Sequence, residues 1–226
     1  MGLTTGRGPL GTDRAGRFTA PVPDGVGYVE PHARRVQAIL GGRTVIDTER
    51  VLIVHQPGRP LSYAFRPEDV GDLPHEVEPH APGYVRVAWD AVDTWIEEGR
   101  RLVNYPPNPY HRVDCRPTRR RLHVEVAGTT MVDTDDTLIL FETGLAPRLY
   151  VDPAHVHGGV LRTTDTRTYC NYKGWATYWA VTVGDTVVED AAWSYEDPLP
   201  ESALIKGYLS FDLSRARVVA ELPLGG

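Results

Sequence analysis

Residues 31–70 read PHARRVQAILGGRTVIDTERVLIVHQPGRPLSYAFRPEDV, and residues 117–156 read PTRRRLHVEVAGTTMVDTDDTLILFETGLAPRLYVDPAHV. The two stretches align without a gap when the chain is displaced by 86 residues, and 12 of the 40 aligned positions are identical. Unrelated stretches of this composition would share about two or three. The chain therefore contains two copies of one unit, and this duplication decides the fold.

The repeated block has the pattern of antiparallel strands. In the second copy Leu122, Val124 and Val126 alternate with polar residues, as in a strand with one buried face. Ala127-Gly128 predicts a turn, and residues 137–141 predict the next strand. We therefore expect a mainly β protein, a tandem repeat of two small antiparallel β domains, each opening with a short meander.

Beyond the repeated block, the first copy has a helical pattern. Within residues 88–98, Trp89, Val92 and Ile96 fall on one helical face, and Gly99 is suited to end a helix. The sequence therefore predicts a short amphipathic helix in the first copy.

The segment 105–109, YPPNP, is unable to continue a helix or a central strand. It is the natural linker between the copies. We predict two domains: residues 1–112 form a diverged, supporting repeat, and residues 113–226 form the repeat that carries the candidate pocket.

The second copy continues with more strand signals. Trp175, Thr177 and Trp179 alternate along a predicted strand that ends at a Gly184-Asp185 turn. Further predicted elements are a return strand over 187–195, one or two helical turns over 200–205 and a strand over 208–211.

Composition narrows the function classes. The net charge of −6 gives no footprint for a phosphate backbone, and the run Arg119, Arg120 and Arg121 is read as a solvated strand start, so no nucleic-acid partner is expected. No stretch approaches the ~20 apolar residues of a membrane span, and the first residues lack a signal-peptide core. We expect a cytoplasmic protein in which Cys115 and Cys170 are reduced thiols.

Residues able to do chemistry concentrate in the second copy. The segment 168–175, TYCNYKGW, places a thiol, two phenols, an ammonium and an indole in one turn, and the segment 193–200, WSYEDPLP, adds aromatics and carboxylates on the neighbouring strand end. The first copy has no such cluster.

These segments, with Tyr178-Trp179 and the aligned meander, resemble the domain-of-unknown-function family numbered 427, in a two-domain actinobacterial-type form. The resemblance implies small all-β, β-tent-like domains whose relatives hold a ligand in a sheet-lined, often aromatic pocket. The sequence departs from the family pattern at Asn171, where proline is usual, and at residues 155–159, HVHGG, where an acidic-Val-Arg-Met-Asp run is common.

The family is sometimes labelled nucleotidyltransferase, a label that the residues do not support. The chain has no glycine-rich phosphate loop before a helix, and its one acidic turn, Asp133, Asp135 and Asp136, is not clearly arranged for Mg²⁺. The cofactor is left unspecified by the sequence.

Four residues are candidates for catalysis: Cys170, Lys173, Glu142 and Tyr172. Lys173 would lower the pKa of a nearby Cys170 thiol and favour a nucleophilic thiolate; the alternative is a small buried apolar side chain. Lys173 itself would bind an anionic group or remain a solvated turn residue. Glu142 would act as an acid or base, or cap the following turn.

Five aromatic residues are candidates for ligand binding: Tyr169, Trp175, Trp179, Trp193 and Tyr195. They would form a stacking wall or cage, with core packing as the alternative. His155 and His157, on one face of a predicted strand, are weak metal candidates because no third ligand follows at a defined spacing, so no metal site is predicted.

The leading hypothesis is a small-molecule-binding protein whose second domain acts on a metabolite by acid/base or nucleophilic catalysis, with His157 as a further proton carrier. The alternatives are a non-catalytic ligand-binding or sensor module, and a structural interaction protein. The oligomeric state is not indicated by the sequence.

Overall fold

The computed structural model describes residue 3 and residues 7–223. The chain divides into two compact units, Met1–His111 and Arg112–Gly226. The regular secondary structure of both units is mainly antiparallel strands, and each unit has its own hydrophobic core. The predicted mainly β fold is confirmed.

The described residues of the first unit form nine strands in three small sheets, with the orders β1-β4-β5, β3-β2-β8-β9 and β6-β7. Its elements are β1 (Tyr28–His32), β2 (Val36–Leu40), β3 (Arg43–Thr48), β4 (Val51–His55), β5 (Ser62–Ala64), helix α1 (Pro67–Val70), β6 (His75–Val77), β7 (Val85–Val87), a 3₁₀ turn (Trp89–Ala91), β8 (Thr94–Glu97) and β9 (Arg100–Leu102).

The second unit, as far as residue 223, has ten strands in three sheets, with the orders β10-β13-β14, β12-β11-β19 and β15-β16-β17-β18. Its elements are β10 (Val113–Thr118), β11 (Leu122–Val126), β12 (Thr129–Thr134), β13 (Thr137–Glu142), β14 (Arg148–Val151), a 3₁₀ turn (Pro153–His155), β15 (Val160–Cys170), β16 (Gly174–Val183), β17 (Thr186–Ser194), a 3₁₀ helix (Pro200–Ile205), β18 (Ser210–Phe211) and β19 (Arg217–Ala220).

The sequence repeat is reproduced in strand pairing. Pro31 lies opposite Leu52 on the neighbouring strand, and the equivalent Pro117 lies opposite Leu138. The hairpins β2-β3 and β11-β12 carry the same register shift at equivalent positions. It falls between Ala38 and Ile39 in the first and between Val124 and Glu125 in the second. The two units therefore share one frame, in strand order and in register.

The two equivalent hairpins also turn in the same way. Gly41 and Gly42 have φ angles of 56° and 75°, and Ala127 and Gly128 have φ angles of 48° and 78°. Positive φ at both central residues is the type I′ turn, whose twist matches that of the flanking strands. The turn predicted at Ala127-Gly128 is confirmed.

The amphipathic helix predicted over residues 88–98 is wrong. The segment forms a single 3₁₀ turn and then strand β8, which pairs with β2 through the register Trp95 to Ala38. Trp95 and Glu97 are buried with Ile96 between them, so a period of two wins over the apparent helical spacing. Gly99, with a φ of 79°, turns the chain into β9 rather than ending a helix. The first unit's short helix is α1.

The units diverge after β5 and β14. Phe65 forms a bridge with Val85 in the first unit, and the equivalent Val151 forms a bridge with Leu209 in the second. Residues 66–84 join these positions in the first unit, whereas the much longer segment 152–208 joins them in the second. The long segment contains β15, β16 and β17, so most of the candidate residues lie in an elaboration that the first unit lacks.

The later strands of the second unit follow the sequence prediction. The predicted strand from Trp175 is β16, its return strand is β17, and residues 200–205 form a 3₁₀ helix. Tyr150, Tyr195, Ile205 and Leu140 belong to one core cluster, beside a larger one around Val124 and Phe211. In the part of the chain that the structure describes, no helix is long and apolar enough to cross a membrane.

Candidate functional site

The second unit has an open cleft of about 410 Å³. It is bounded by the end of β13, by β14, β16 and β17, and by the turn between β15 and β16. Its lining residues are Leu140, Glu142, Leu145, Ala146, Arg148, Tyr150, Lys173, Tyr178, Trp193, Tyr195 and Asp212. The volume lies in the range of small-molecule sites, which run from about 300 to 1,000 Å³.

The turn that carries Lys173 is fixed at both ends. Cys170 and Gly174 face each other across β15 and β16, and the Lys173 N–H donates to the Cys170 carbonyl at 3.3 Å. The Lys173 carbonyl accepts a hydrogen bond from the Leu199 N–H at 3.0 Å, and the Tyr172 carbonyl accepts one from Ser202 Oγ at 3.1 Å. The turn is therefore anchored on the segment that leads into the 3₁₀ helix 200–205.

Gly174 lets the β15-β16 turn approach residues 197–199 closely. Its φ angle is 95°, and a Cβ at this position would lie 3.3 Å from the Asp197 carbonyl oxygen. A larger residue would meet backbone in a conformation that L side chains rarely adopt. Glycine here lets the turn pack against residues 197–199, which places Lys173 at the cleft.

Lys173 pairs with Glu142. Its ammonium donates a hydrogen bond to Glu142 Oε2, and the two side chains are only 9% and 6% exposed. Glu142 is the last residue of β13, where it lies opposite Val113. A buried charge is tolerated only when it is paired, and this contact pairs the two opposite charges at the cleft wall.

Three tyrosines line the cleft beside this pair. Tyr195, at the end of β17, and Tyr150, on β14, are both buried, and burial raises the pKa of both phenols. The Tyr150 hydroxyl accepts a long hydrogen bond of 3.4 Å from Trp193 Nε1. Both phenols therefore stay protonated and are able to donate hydrogen bonds to a ligand.

Trp193 forms the aromatic wall with Tyr178, their ring centroids being 6.5 Å apart. The guanidinium carbon of Arg148 lies over the Trp193 ring, 4.8 Å from its centroid, and Arg148 Nη1 donates to the Phe211 carbonyl at 3.3 Å. Asp212 lies at the same end and accepts hydrogen bonds from the Ser214 N–H and hydroxyl, the hydroxyl bond being the largest cause of its lowered pKa.

The structure brings together four of the nine predicted site residues. Glu142, Lys173, Trp193 and Tyr195 line one cleft. The other five are not among its lining residues: Tyr169, Cys170, Tyr172, Trp175 and Trp179.

Those five residues lie in different surroundings. Tyr169 and Trp175 form an edge-to-face pair with centroids 5.1 Å apart, and Trp175 is 55% exposed. Trp179 packs against the larger core cluster and donates from Nε1 to Ser194 Oγ at 2.8 Å. Tyr172 packs against the core cluster that contains Tyr195, and Cys170 is partly buried in the turn.

The second thiol also lies outside the cleft lining. Cys115 lies on β10. It forms no disulfide with Cys170, and both residues are free thiols. Burial is the largest cause that raises the Cys115 pKa, with a smaller contribution from Asp114, and the pKa reaches about 11. A thiol in this state is protonated at neutral pH and is a poor nucleophile.

Four polar or aromatic residues of the cleft were missed by the sequence reasoning: Arg148, Tyr150, Tyr178 and Asp212. Tyr178 lies on the face of β16 opposite to that of Trp175 and Trp179, and the sequence prediction chose the face with the two tryptophans. Arg148 and Tyr150 fall inside the repeated block, where the first copy has Ser62 and Ala64. A position-by-position comparison of the copies would have found Arg148 and Tyr150, because both residue types differ from their equivalents in the first copy. The same comparison pairs Glu142 with Gln56.

The weak metal candidates do not converge. His155 ends a 3₁₀ turn, with Nε2 3.5 Å from Asp136 Oδ2, and the His157 N–H donates to the Met131 carbonyl at 2.8 Å. The two histidines are therefore not on one strand, and that expectation was wrong. Among the described residues, no group of three or more His, Cys, Asp or Glu side chains is placed to hold a metal ion.

Fold and cleft together define the class: a mainly β protein of two related units, of which the second carries a polar and aromatic cleft. Residues 114–221 match the family model NTP_transf_9, described as a domain of unknown function (DUF427). The match covers the second unit, in agreement with the resemblance that the sequence indicated. No curated protein matches the chain.

Proposed function

We propose that the second unit binds a small organic molecule in the cleft between β13 and β17. The observation that carries this proposal is the buried Lys173 and Glu142 pair, which lies at the wall of a cleft of ligand size. Buried charges are costly for stability, and their retention at a cavity is typical of functional sites.

The comparison of the two copies supports the proposal. At the positions of Glu142, Arg148 and Tyr150, the first copy has Gln56, Ser62 and Ala64, although strand pairing and register are the same. The frame alone therefore does not require charged and phenolic side chains at these positions. Their presence in the second unit coincides with the added strands that complete the cleft.

The lining suits a ligand with an apolar body and polar substituents. Trp193 and Tyr178 offer aromatic surface, and Leu140, Leu145 and Ala146 offer aliphatic surface. Ligand sites commonly combine such surfaces with a few polar groups that fix orientation. Here those groups are the phenols of Tyr150 and Tyr195, and the Lys173 ammonium.

Acid/base catalysis is the second candidate function, favoured by the convergence of Lys173, Glu142 and Tyr195. A carboxylate and an ammonium in a water-poor site are able to exchange a proton with a bound substrate, and a protonated phenol is a donor to developing negative charge. Thiol catalysis has less support because neither cysteine lines the cleft.

We place the proposed function of the second unit in the cytoplasm, where both thiols stay reduced.

A cleft-blocking variant tests the binding proposal. Ala146 is exposed and lines the cleft, so Ala146→Trp fills it without removing a core contact. Ala154, exposed in the 3₁₀ turn 153–155, provides the matched control Ala154→Trp. A fragment library screened by ligand-observed NMR against the full chain should give hits that Ala146→Trp abolishes and Ala154→Trp retains. Hits that survive in both variants would contradict the proposal.

A second experiment tests catalysis. Tyr195→Phe removes one hydroxyl and keeps the buried ring. The wild-type chain, incubated with a bacterial metabolite extract, should consume a compound that Tyr195→Phe spares, as detected by mass spectrometry. Equal consumption by both proteins, or none by either, would leave the binding function and contradict the catalytic one.

A further inference from the structure

We infer that Arg148 recognises an acidic group, so that the ligand of the cleft is a small organic anion with a carboxylate or phosphate. This inference rests on the proposed binding function and names the ligand's chemical class. It starts from the two cations that line the cleft, Lys173 and Arg148.

The two cations differ in how their charge is compensated. Lys173 is paired with Glu142. Among the described residues, no carboxylate oxygen lies within 4.0 Å of the Arg148 guanidinium, the distance that defines an ion pair. Asp212, which also lines the cleft, accepts both Ser214 hydrogen bonds with Oδ1. Arg148 therefore makes no direct ion pair, although its charge contributes to the lowered pKa of the nearby Asp212 carboxylate.

Other arginines of the second unit are compensated by carboxylates. Arg121 pairs with Asp133 at 2.7 Å, Arg116 with Asp114 at 2.7 Å, and Arg162 with Glu189 at 2.8 Å, all in more exposed positions. Arg148, by contrast, is partly buried in the cleft wall. A cation without a directly paired carboxylate, where water is limited, is suited to a ligand of opposite charge.

The geometry around Arg148 leaves its fork available. The guanidinium carbon lies over the Trp193 ring, and one hydrogen bond to the Phe211 carbonyl holds Nη1. A guanidinium has five N–H donors, of which this contact occupies one. The remaining donors match two oxygens of a carboxylate or phosphate, the pairing in which arginine exceeds lysine.

The rest of the lining fits the body of such an acid. Trp193 and Tyr178 offer a stacking surface beside Arg148, and Leu145 and Ala146 offer aliphatic contact. The first copy, which has Ser62 at the Arg148 position, lacks this cation. The cation and the aromatic wall thus occur together, as recognition of an aromatic or aliphatic acid requires.

Three phenyl compounds serve as probes: benzamide and benzoate have nearly the same shape and differ in charge, and phenyl phosphate offers a phosphate in place of the carboxylate. Binding to the full chain is measured by NMR titration for the wild type, Arg148→Gln, Arg148→Lys and the surface control Arg162→Gln. In the wild type, at least one anion should bind ten times more tightly than benzamide. Arg148→Gln should weaken that anion at least tenfold and leave benzamide unchanged, and Arg162→Gln should change neither. The anion that binds more tightly to the wild type shows whether the site prefers a carboxylate or a phosphate.

Arg148→Lys keeps the charge and loses the fork, so anion binding should fall by less than in Arg148→Gln. This variant also decides the matter if Arg148→Gln fails to fold. Benzamide binding as tightly as both anions, or anion binding unaffected by the Arg148 substitutions, would overturn the anion inference while the cleft function stands, provided Ala146→Trp blocks the probes. Absence of binding by all three probes to the wild type would overturn the inference, and the fragment screen with Ala146→Trp decides the cleft function separately.

Discussion

Lys173 in the β15-β16 turn donates a hydrogen bond to Glu142 at the end of β13, and neither side chain is more than 9% exposed. This contact joins the added segment of the second unit to the frame that both copies share. It places a turn that the repeat does not specify at a fixed position over the cleft. The stability of this region therefore depends on a pair of opposite charges out of water.

Lys173→Ala should destabilise the second unit by about 3–5 kcal/mol, because it removes the ammonium that pairs with the buried Glu142 carboxylate. The sequence has one other lysine, the exposed Lys206, and Lys206→Ala should cost less than about 0.5 kcal/mol. Urea denaturation followed by circular dichroism measures both changes. Equal stability of the two variants would show that the pair is not desolvated.

The double variant Lys173→Met with Glu142→Leu isolates the charge effect. Replacement of a buried ion pair by apolar residues of similar size is often neutral or stabilising. We expect the double variant to recover most of the stability that Lys173→Ala loses. A loss as large as in Lys173→Ala would mean that the contact acts through its hydrogen bond geometry rather than its charges.

Cys115 should react slowly with thiol reagents. Its pKa of about 11, raised mainly by burial, leaves about one thiol in a thousand ionised at pH 8, against about a quarter for an ordinary thiol of pKa 8.5. Iodoacetamide labelling of Cys115 at pH 8, read by peptide mass spectrometry, should be about a hundredfold slower in the folded chain than in urea. Labelling at the unfolded rate would refute the buried, protonated thiol.

The first unit has its own buried carboxylate, Glu97 on β8. Its oxygens accept hydrogen bonds from Tyr63 and Arg34, both at 2.5 Å, and lie 2.7 Å from His32 Nε2. Burial is the largest single effect and raises the Glu97 pKa, but the hydrogen bonds from His32, Tyr63 and Arg34 outweigh it and lower the pKa to about 2.

A carboxylate whose pKa is lower in the folded state stabilises the fold above its unfolded pKa, and this contribution is lost as the pH falls through the folded pKa. Glu97 should therefore contribute fully above about pH 4.5, and the contribution, on the order of 3 kcal/mol, should disappear towards pH 2. Urea midpoints between pH 7 and pH 2 should fall less steeply for Glu97→Gln than for the wild type. Parallel curves would exclude a specific role for Glu97.

The Ala127-Gly128 turn offers a stabilising change. Ala127 has a φ of 48°, a conformation that asparagine adopts more readily than alanine, and Asn-Gly is the preferred type I′ pair. Ala127→Asn should raise the unfolding free energy by about 0.5–1 kcal/mol. Gly128→Val, at a φ of 78°, should lower it by more than that. Thermal unfolding of both variants checks the opposite signs.

The repeat and its alternating residues were sufficient to predict the β frame, because strand alternation and turn chemistry are local properties. The helix over 88–98 failed because the spacing of Trp89, Val92 and Ile96 fits a helix, whereas pairing of Thr94–Glu97 with β2 is a contact distant in sequence. Sequence pattern alone does not contain that partner.

The candidate site was predictable only in part, because contacts between residues distant in sequence are not visible in the sequence pattern. Lys173 and Glu142 stand out by residue type, yet only the fold shows that they meet across 31 residues of sequence. Trp175 looked like a pocket residue and is exposed, while Tyr178, its near neighbour, lines the cleft. Which face of β16 meets the cleft depends on packing against β13 and β14, and residue type does not reveal it.

The central claim, that the cleft of the second unit binds a small molecule, is tested most directly by ¹⁹F NMR of the chain labelled with 5-fluorotryptophan. The five tryptophans, each assigned by a Trp→Phe variant, report from both units: Trp89, Trp95, Trp175, Trp179 and Trp193. Titration with the hits of the fragment screen in turn should shift the Trp193 resonance saturably with at least one hit and leave Trp175 and Trp89 in place. A Trp193 resonance that stays fixed with every hit, or that moves no more than that of exposed Trp175, would contradict the account.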